Sequence, residues 1–76
     1  MSLSDIDAKV LRALPSNRDR GWLSAHGVAD RLHIAPDVAR SVLVRLRGAW
    51  LVEDDGERPQ AFARLARGDH ELELVD

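Results

Sequence analysis

Three stretches of the chain repeat apolar residues at helical spacing, and the C-terminal half then switches to short apolar runs separated by turn signals. Ile6, Val10, Leu11 and Leu14 share one face of a helix predicted over 4–14. Ser4 opens it, and Asp7 follows three residues on, a carboxylate variant of the capping box. Leu3 is placed to staple the first turn, and Pro15 ends the helix because its ring clashes with a continuing turn. Pro15 to Gly21 reads as a loop. Trp22 and Leu23 are too few for a full strand and suit a short edge pairing with a later hairpin. Ser24 caps a second helix predicted over 24–33, with Val28, Ala29 and Leu32 as its stripe and Ile34 just beyond. Gly27, in its first turns, costs about 1 kcal/mol relative to alanine and leaves room for a close helix contact. Pro36 suits the first position of a third helix over 36–48. Ala39, Val42, Leu43 and Leu46 form its inward face, Ala35 is a poor cap, and Gly48 loosens its end.

Trp50, Leu51 and Val52 read as a strand. Asp55-Gly56, inside the stretch from Glu53 to Gln60, is a strong turn signal. Gln60 to Leu65 reads as the returning strand, with Phe62 and Leu65 on its buried side, so that a wing occupies about 50–66. Arg67-Gly68-Asp69 breaks the pattern. The tail, 67–76, alternates Leu72 and Leu74 with acids, as a short strand or a frayed end would. The pattern predicts a single domain over 1–76, mainly α with a small β-hairpin (α+β): a three-helix winged helix-turn-helix.

Composition narrows the possibilities. The chain has 76 residues and no cysteine, so no disulfide or thiolate metal site supports the core. No run approaches the ~20 apolar residues of a membrane span, and the first residues lack the pattern of a signal peptide. A cytoplasmic, soluble protein with no membrane partner is the expectation. Acids outnumber bases 13 to 11, a formal charge of −2. That balance runs against the basic excess usual in nucleic-acid binders. Of the basic residues, all but Lys9 are arginine.

Two short helices joined by a tight turn and followed by a hairpin form a recurring DNA-reading arrangement. Here Leu23 to Gly68 resembles the winged helix-turn-helix core of MarR-type regulators. Ser24-Ala25-His26-Gly27-Val28-Ala29-Asp30-Arg31-Leu32 is similar to the family's capped second helix, and Ile34-Ala35-Pro36-Asp37 to its turn into the recognition helix. Ala39, Val42, Leu43 and Leu46 match recognition-helix core positions. Leu51-Val52-Glu53 matches the first wing strand, and Leu65-Ala66-Arg67-Gly68 the end of the second. Trp50 stands where the family usually has glycine, and only eight residues follow Gly68, too few for the family's long dimerisation helix. The resemblance implies the fold, with DNA as the partner and the third helix as its reader.

Helical geometry turns Asp37, Ser41, Val44, Arg45 and Gly48 outward, with Val38 and Arg45 toward one flank and Arg40 and Arg47 toward the other. The candidate DNA-binding residues are Arg40, Ser41, Arg45 and Arg47 on the third helix, with Arg58 and Arg64 from the wing, since arginine binds phosphate or pairs with guanine. Solvated arginines on a surface helix are the plain alternative. Asp37 favours the helix N-terminus yet lies where phosphate would, and Glu53, Asp54, Asp55 and Glu57 repel phosphate from the wing. These acids, with Val38, Val44 and Trp50 as a candidate partner patch, support a second class: a protein-interaction module or subunit of a larger assembly. Edge pairing of the tail from Glu71 to Val75 with a second copy is a further possibility. Trp22 and Trp50 are expected as core or core-edge anchors, whereas an exposed Trp50 would mark a binding surface. His26, His33 and His70 are scattered, and Asp54-Asp55-Gly56-Glu57 lacks calcium-loop spacing. No nucleophile, base and orienting group are ordered as a catalytic set, and no glycine-rich phosphate loop occurs. No enzyme activity, cofactor or metal is expected.

Overall fold

The computed structural model describes residues 3–19, 21–56 and 61–75, with only the backbone of Val75. Its elements run α1 (Asp5–Ala13), a 3-10 turn (Asn17–Asp19), β1 (Leu23–Ser24), α2 (Ala25–Leu32), α3 (Pro36–Gly48), β2 (Val52–Asp54), β3 (Ala61–Arg64) and α4 (Ala66–Val75). This is a winged helix-turn-helix with an additional C-terminal helix.

Local chemistry sets the helix ends. The Ser4 hydroxyl accepts from the Asp7 N–H at 3.3 Å, and the Asp7 carboxylate accepts from the Ser4 N–H at 3.2 Å, closing the capping box of α1. Ser24 caps α2 by accepting from the Gly27 N–H at 3.1 Å. Ala35 makes no side-chain cap for α3, which instead begins on Pro36. At the end of α2, His33 turns into the left-handed region with φ 56°, and the Ile34 N–H bonds the Ala29 carbonyl at 3.1 Å. This tight turn aims α3 across α2. Carbonyls in the last turn of α1 and at its C-cap, Leu14, accept from distant side chains. Arg31 of α2 donates to the Ala13 carbonyl at 3.1 Å, and Arg64 of β3 donates to those of Leu11 and Leu14 at 2.7 and 3.1 Å.

Val10, Leu11, Val28, Leu43, Leu46, Leu51, Val52 and Phe62 are the largest fully buried side chains. They come from α1, α2, α3, β2 and β3 and from the segment between α3 and β2. The sheet is antiparallel in the order β1-β3-β2. Leu23 faces Phe62 across the β1–β3 pair, the edge pairing that the short Trp22-Leu23 run suggested. Gly27 makes its close approach to this strand rather than to another helix: an added Cβ would lie 2.5 Å from Cδ1 of Leu23.

Several sequence expectations are corrected. The tail is neither strand nor frayed end but α4, packed against α1 and β3, so its edge pairing with a second copy loses its strand. The first wing strand starts at Val52, not Trp50, because Trp50 still belongs to the turn that ends α3. Neither tryptophan anchors the core: Trp22 is 43% and Trp50 70% exposed. The returning strand begins at Ala61, and Gln60 lies outside the described residues.

Candidate nucleic-acid interface

The third helix carries most of the candidate interface residues. Ala39, Val42, Leu43 and Leu46 are buried on one side, and Asp37, Val38, Arg40, Ser41, Val44, Arg45, Arg47 and Gly48 are exposed. The helical repeat places Ser41 and Val44 in the middle of the exposed strip, with Arg45 on one flank and Arg40 and Arg47 on the other.

The three arginines have different surroundings. Arg45 is paired with Asp7 of α1, and Arg47 with Asp54 of β2. Arg40 makes no hydrogen bond or ion pair among the described residues. With Asp37 in the first turn, three carboxylates thus accompany the three arginines. Each flank of the helix is tied by a carboxylate from a different element, α1 on one side and the wing on the other. The arginine side chains of the two pairs remain 59% and 48% exposed, whereas their aspartates are 12% and 19% exposed. The cations therefore face solvent above carboxylates seated in the protein surface.

Asp7 shows the balance of forces. Burial pushes its carboxyl pKa up. Hydrogen bonds from the Arg45 side chain and from the backbone and hydroxyl of Ser4, with the charge of Arg45, outweigh burial and hold it below the ordinary aspartate value. One carboxylate thus closes the α1 cap and anchors an arginine of α3.

The wing supplies less than the sequence suggested. Arg58 lies outside the described residues. Arg64 is turned inward, with its side chain 18% exposed. Its Nε donates to Asp69 of α4, and one terminal nitrogen donates to the carbonyls of Leu11 in α1 and of Leu14, the residue that caps it. It ties β3 to both helices, which corrects its assignment as an outward DNA contact. Sequence reasoning identified Asp7 as a cap and Asp54 as part of an acidic wing, but neither as an arginine partner. Asp7 and Arg45 are 38 positions apart, and no local spacing signals that pair. Arg47 and Asp54 are seven apart, across a turn whose geometry decides whether they meet.

The candidate partner patch is not gathered into one surface feature. Val38 and Val44 are 46% and 48% exposed and lie on different sides of the α3 strip. A cleft of about 590 Å³ opens between the end of α3 and the wing. Arg47 and Trp50 line it together with Val52, Glu53, Asp54 and Leu65, and without Val38 or Val44. Among the described residues, no group of three or more His, Asp or Glu side chains could hold a metal ion. No described helix is long and apolar enough to cross a membrane.

This arrangement is a winged-helix core whose third helix exposes a mixed-charge face. Among solved structures the chain is similar to one described as "The structure of a MarR family protein from Bacillus stearothermophilus". The TM-score is 0.80 at 14% identity, covering 99% of this chain and 52% of that one. The fold is therefore a MarR-like winged-helix core, and the chain spans about half the length of that protein. No protein-family model and no curated protein matches the chain.

Proposed function

We propose that this chain is a DNA-binding transcription regulator of the cytoplasm, with α3 entering the major groove of duplex DNA. The observation that carries this reading is the outward strip of α3, where Arg40, Ser41 and Val44 lie exposed in a MarR-like winged-helix core. Arg40 brings a cation that no described residue neutralises. Ser41 offers one donor and an acceptor at the centre of the strip, and Val44 suits contact with a thymine methyl. Arg45 and Arg47 flank the strip and reach toward the two phosphate backbones. On this reading the chain binds and positions rather than catalyses.

The charge balance of the face makes the affinity modest and dependent on salt. Fluorescence anisotropy with a labelled mixed-sequence duplex at about 50 mM salt tests the reading. Arg40→Ala should weaken binding about 10-fold or more, the loss of a charge-assisted contact worth ~1.5–3 kcal/mol. Arg64→Lys, at an inward position, should change affinity little once folding is verified. Absence of binding at high micromolar protein, or an Arg40→Ala curve that overlays the wild type, would overturn it.

A further inference from the structure

The ion pairs that tie Arg45 to Asp7 and Arg47 to Asp54 lie on the face assigned to duplex DNA, and their proposed role rests on that assignment. We propose that Asp7 and Asp54 are affinity-limiting residues of this face, carboxylates that compete with DNA phosphates for Arg45 and Arg47.

Each pair joins α3 to a different element, α1 or β2, so the two carboxylates act independently. Each is held from behind. Asp7 also accepts from the Ser4 N–H, and Asp54 from the Gly56 N–H at 3.2 Å. Fixed in this way, neither carboxylate follows its arginine when the arginine swings out. A phosphate that captures Arg45 or Arg47 therefore leaves a carboxylate deprived of that arginine at the protein surface, beside the DNA backbone.

The carboxylate left behind has two effects. It repels the phosphates, which opposes the gain from the new contact. It also gathers a cation from solution, and that uptake cancels the counterion released when the arginine neutralises a phosphate. An arginine held by aspartate thus adds little affinity and little salt dependence, whereas the same arginine beside a neutral amide adds both. The salt slope of the wild type should reflect Arg40 and any wing cation, and not Arg45 or Arg47.

The test uses the full chain with Asp7→Asn, Asp54→Asn and the double variant. The amide keeps an acceptor for Ser4 or Gly56 and removes the charge. Because Asp7→Asn also loosens the α1 cap, Asp54→Asn in the wing supplies an arm that does not depend on that helix. Folding is checked by circular dichroism. Affinity for a mixed duplex is measured by anisotropy from about 50 to 200 mM salt. Each substitution should tighten binding about 3- to 10-fold at the low end and steepen the log–log salt slope by about one unit, with the double variant adding both. In an Arg45→Ala background, Asp7→Asn should tighten binding less than it does in the wild type, because only the relief of phosphate repulsion is left, and the interaction between the two mutations isolates the pair.

If the wild type binds and the asparagine variants bind with unchanged or lower affinity and the same slope, this inference fails while the duplex reading stands. It fails in the same way if Asp7→Asn tightens binding equally with and without Arg45. If neither the wild type nor any asparagine variant binds at the lowest salt, both fail together.

Discussion

Trp50 occupies a backbone position that glycine adopts without strain. Its φ is 64°, its N–H bonds the Arg47 carbonyl at 3.0 Å, and the next N–H, of Leu51, bonds the Leu46 carbonyl at 3.0 Å. These two bonds are the Schellman pattern that closes a helix through a left-handed residue, normally glycine. A bulky side chain there costs conformational energy, and at 70% exposure it recovers little by burial. Trp50→Gly should therefore stabilise the fold by about 0.5–1 kcal/mol, read as a higher urea midpoint by circular dichroism. A lower midpoint would show that the indole packs better than its exposure implies. The absence of glycine after the third helix was plain in the sequence. The survival of the left-handed turn was not, because the hydrogen bonds that enforce it arise only once Leu51 is drawn into the core. The caps divide the same way. Ser4 and Asp7 were legible as neighbours at fixed spacing, whereas the grip of Asp7 on Arg45 depends on how two helices cross.

At the scale of elements, α1, α2 and α3 were readable because their apolar spacing and their boundary residues Ser4, Ser24, Pro15 and Pro36 agree. Helix α4 was not readable, and Gly68 is the reason. In sequence it looks like a breaker between Arg67 and Asp69. In the fold it is buried in the first turns of α4, where an added Cβ would lie 2.4 Å from the Leu51 carbonyl oxygen and 2.9 Å from Cγ of Arg64. Gly68, Glu71 and Leu72 follow the i, i+3, i+4 spacing of a helix face, and all three are buried. Glycine and a carboxylate in two of those places hide the periodicity, while Leu72 and Leu74 mimic alternation. Gly68→Ala should destabilise by about 2 kcal/mol or more in denaturant unfolding, since backbone cannot yield as a flexible side chain does. Gly48→Ala, at the end of α3 with nothing within 4 Å of the new Cβ, should stabilise by up to about 1 kcal/mol. Opposite signs for one substitution would locate the constraint in packing; a stabilising Gly68→Ala would contradict the placement of α4.

At the scale of the molecule, the net charge of −2 ran against a nucleic-acid binder, but it carried no information on how the charges are distributed. Of the three arginines on α3, two are held by carboxylates from elsewhere in the fold, and Arg64, which read as a wing contact, clamps α1, β3 and α4 together. Among the described residues, the α3 arginine without such a tie is Arg40, on an exposed strip of that helix, in a fold shared with a MarR family protein over 99% of this chain. The proposed function stands or falls on whether this strip meets duplex DNA. An amide and side-chain NMR titration of the labelled chain with a short mixed-sequence duplex reads that contact residue by residue. Shifts should concentrate at Arg40, Ser41, Val44 and the Arg45 and Arg47 guanidinium groups, with the exposed side of α4 unmoved. Shifts centred on Trp50 and α4 with α3 silent, or none at all, would refute duplex recognition by α3.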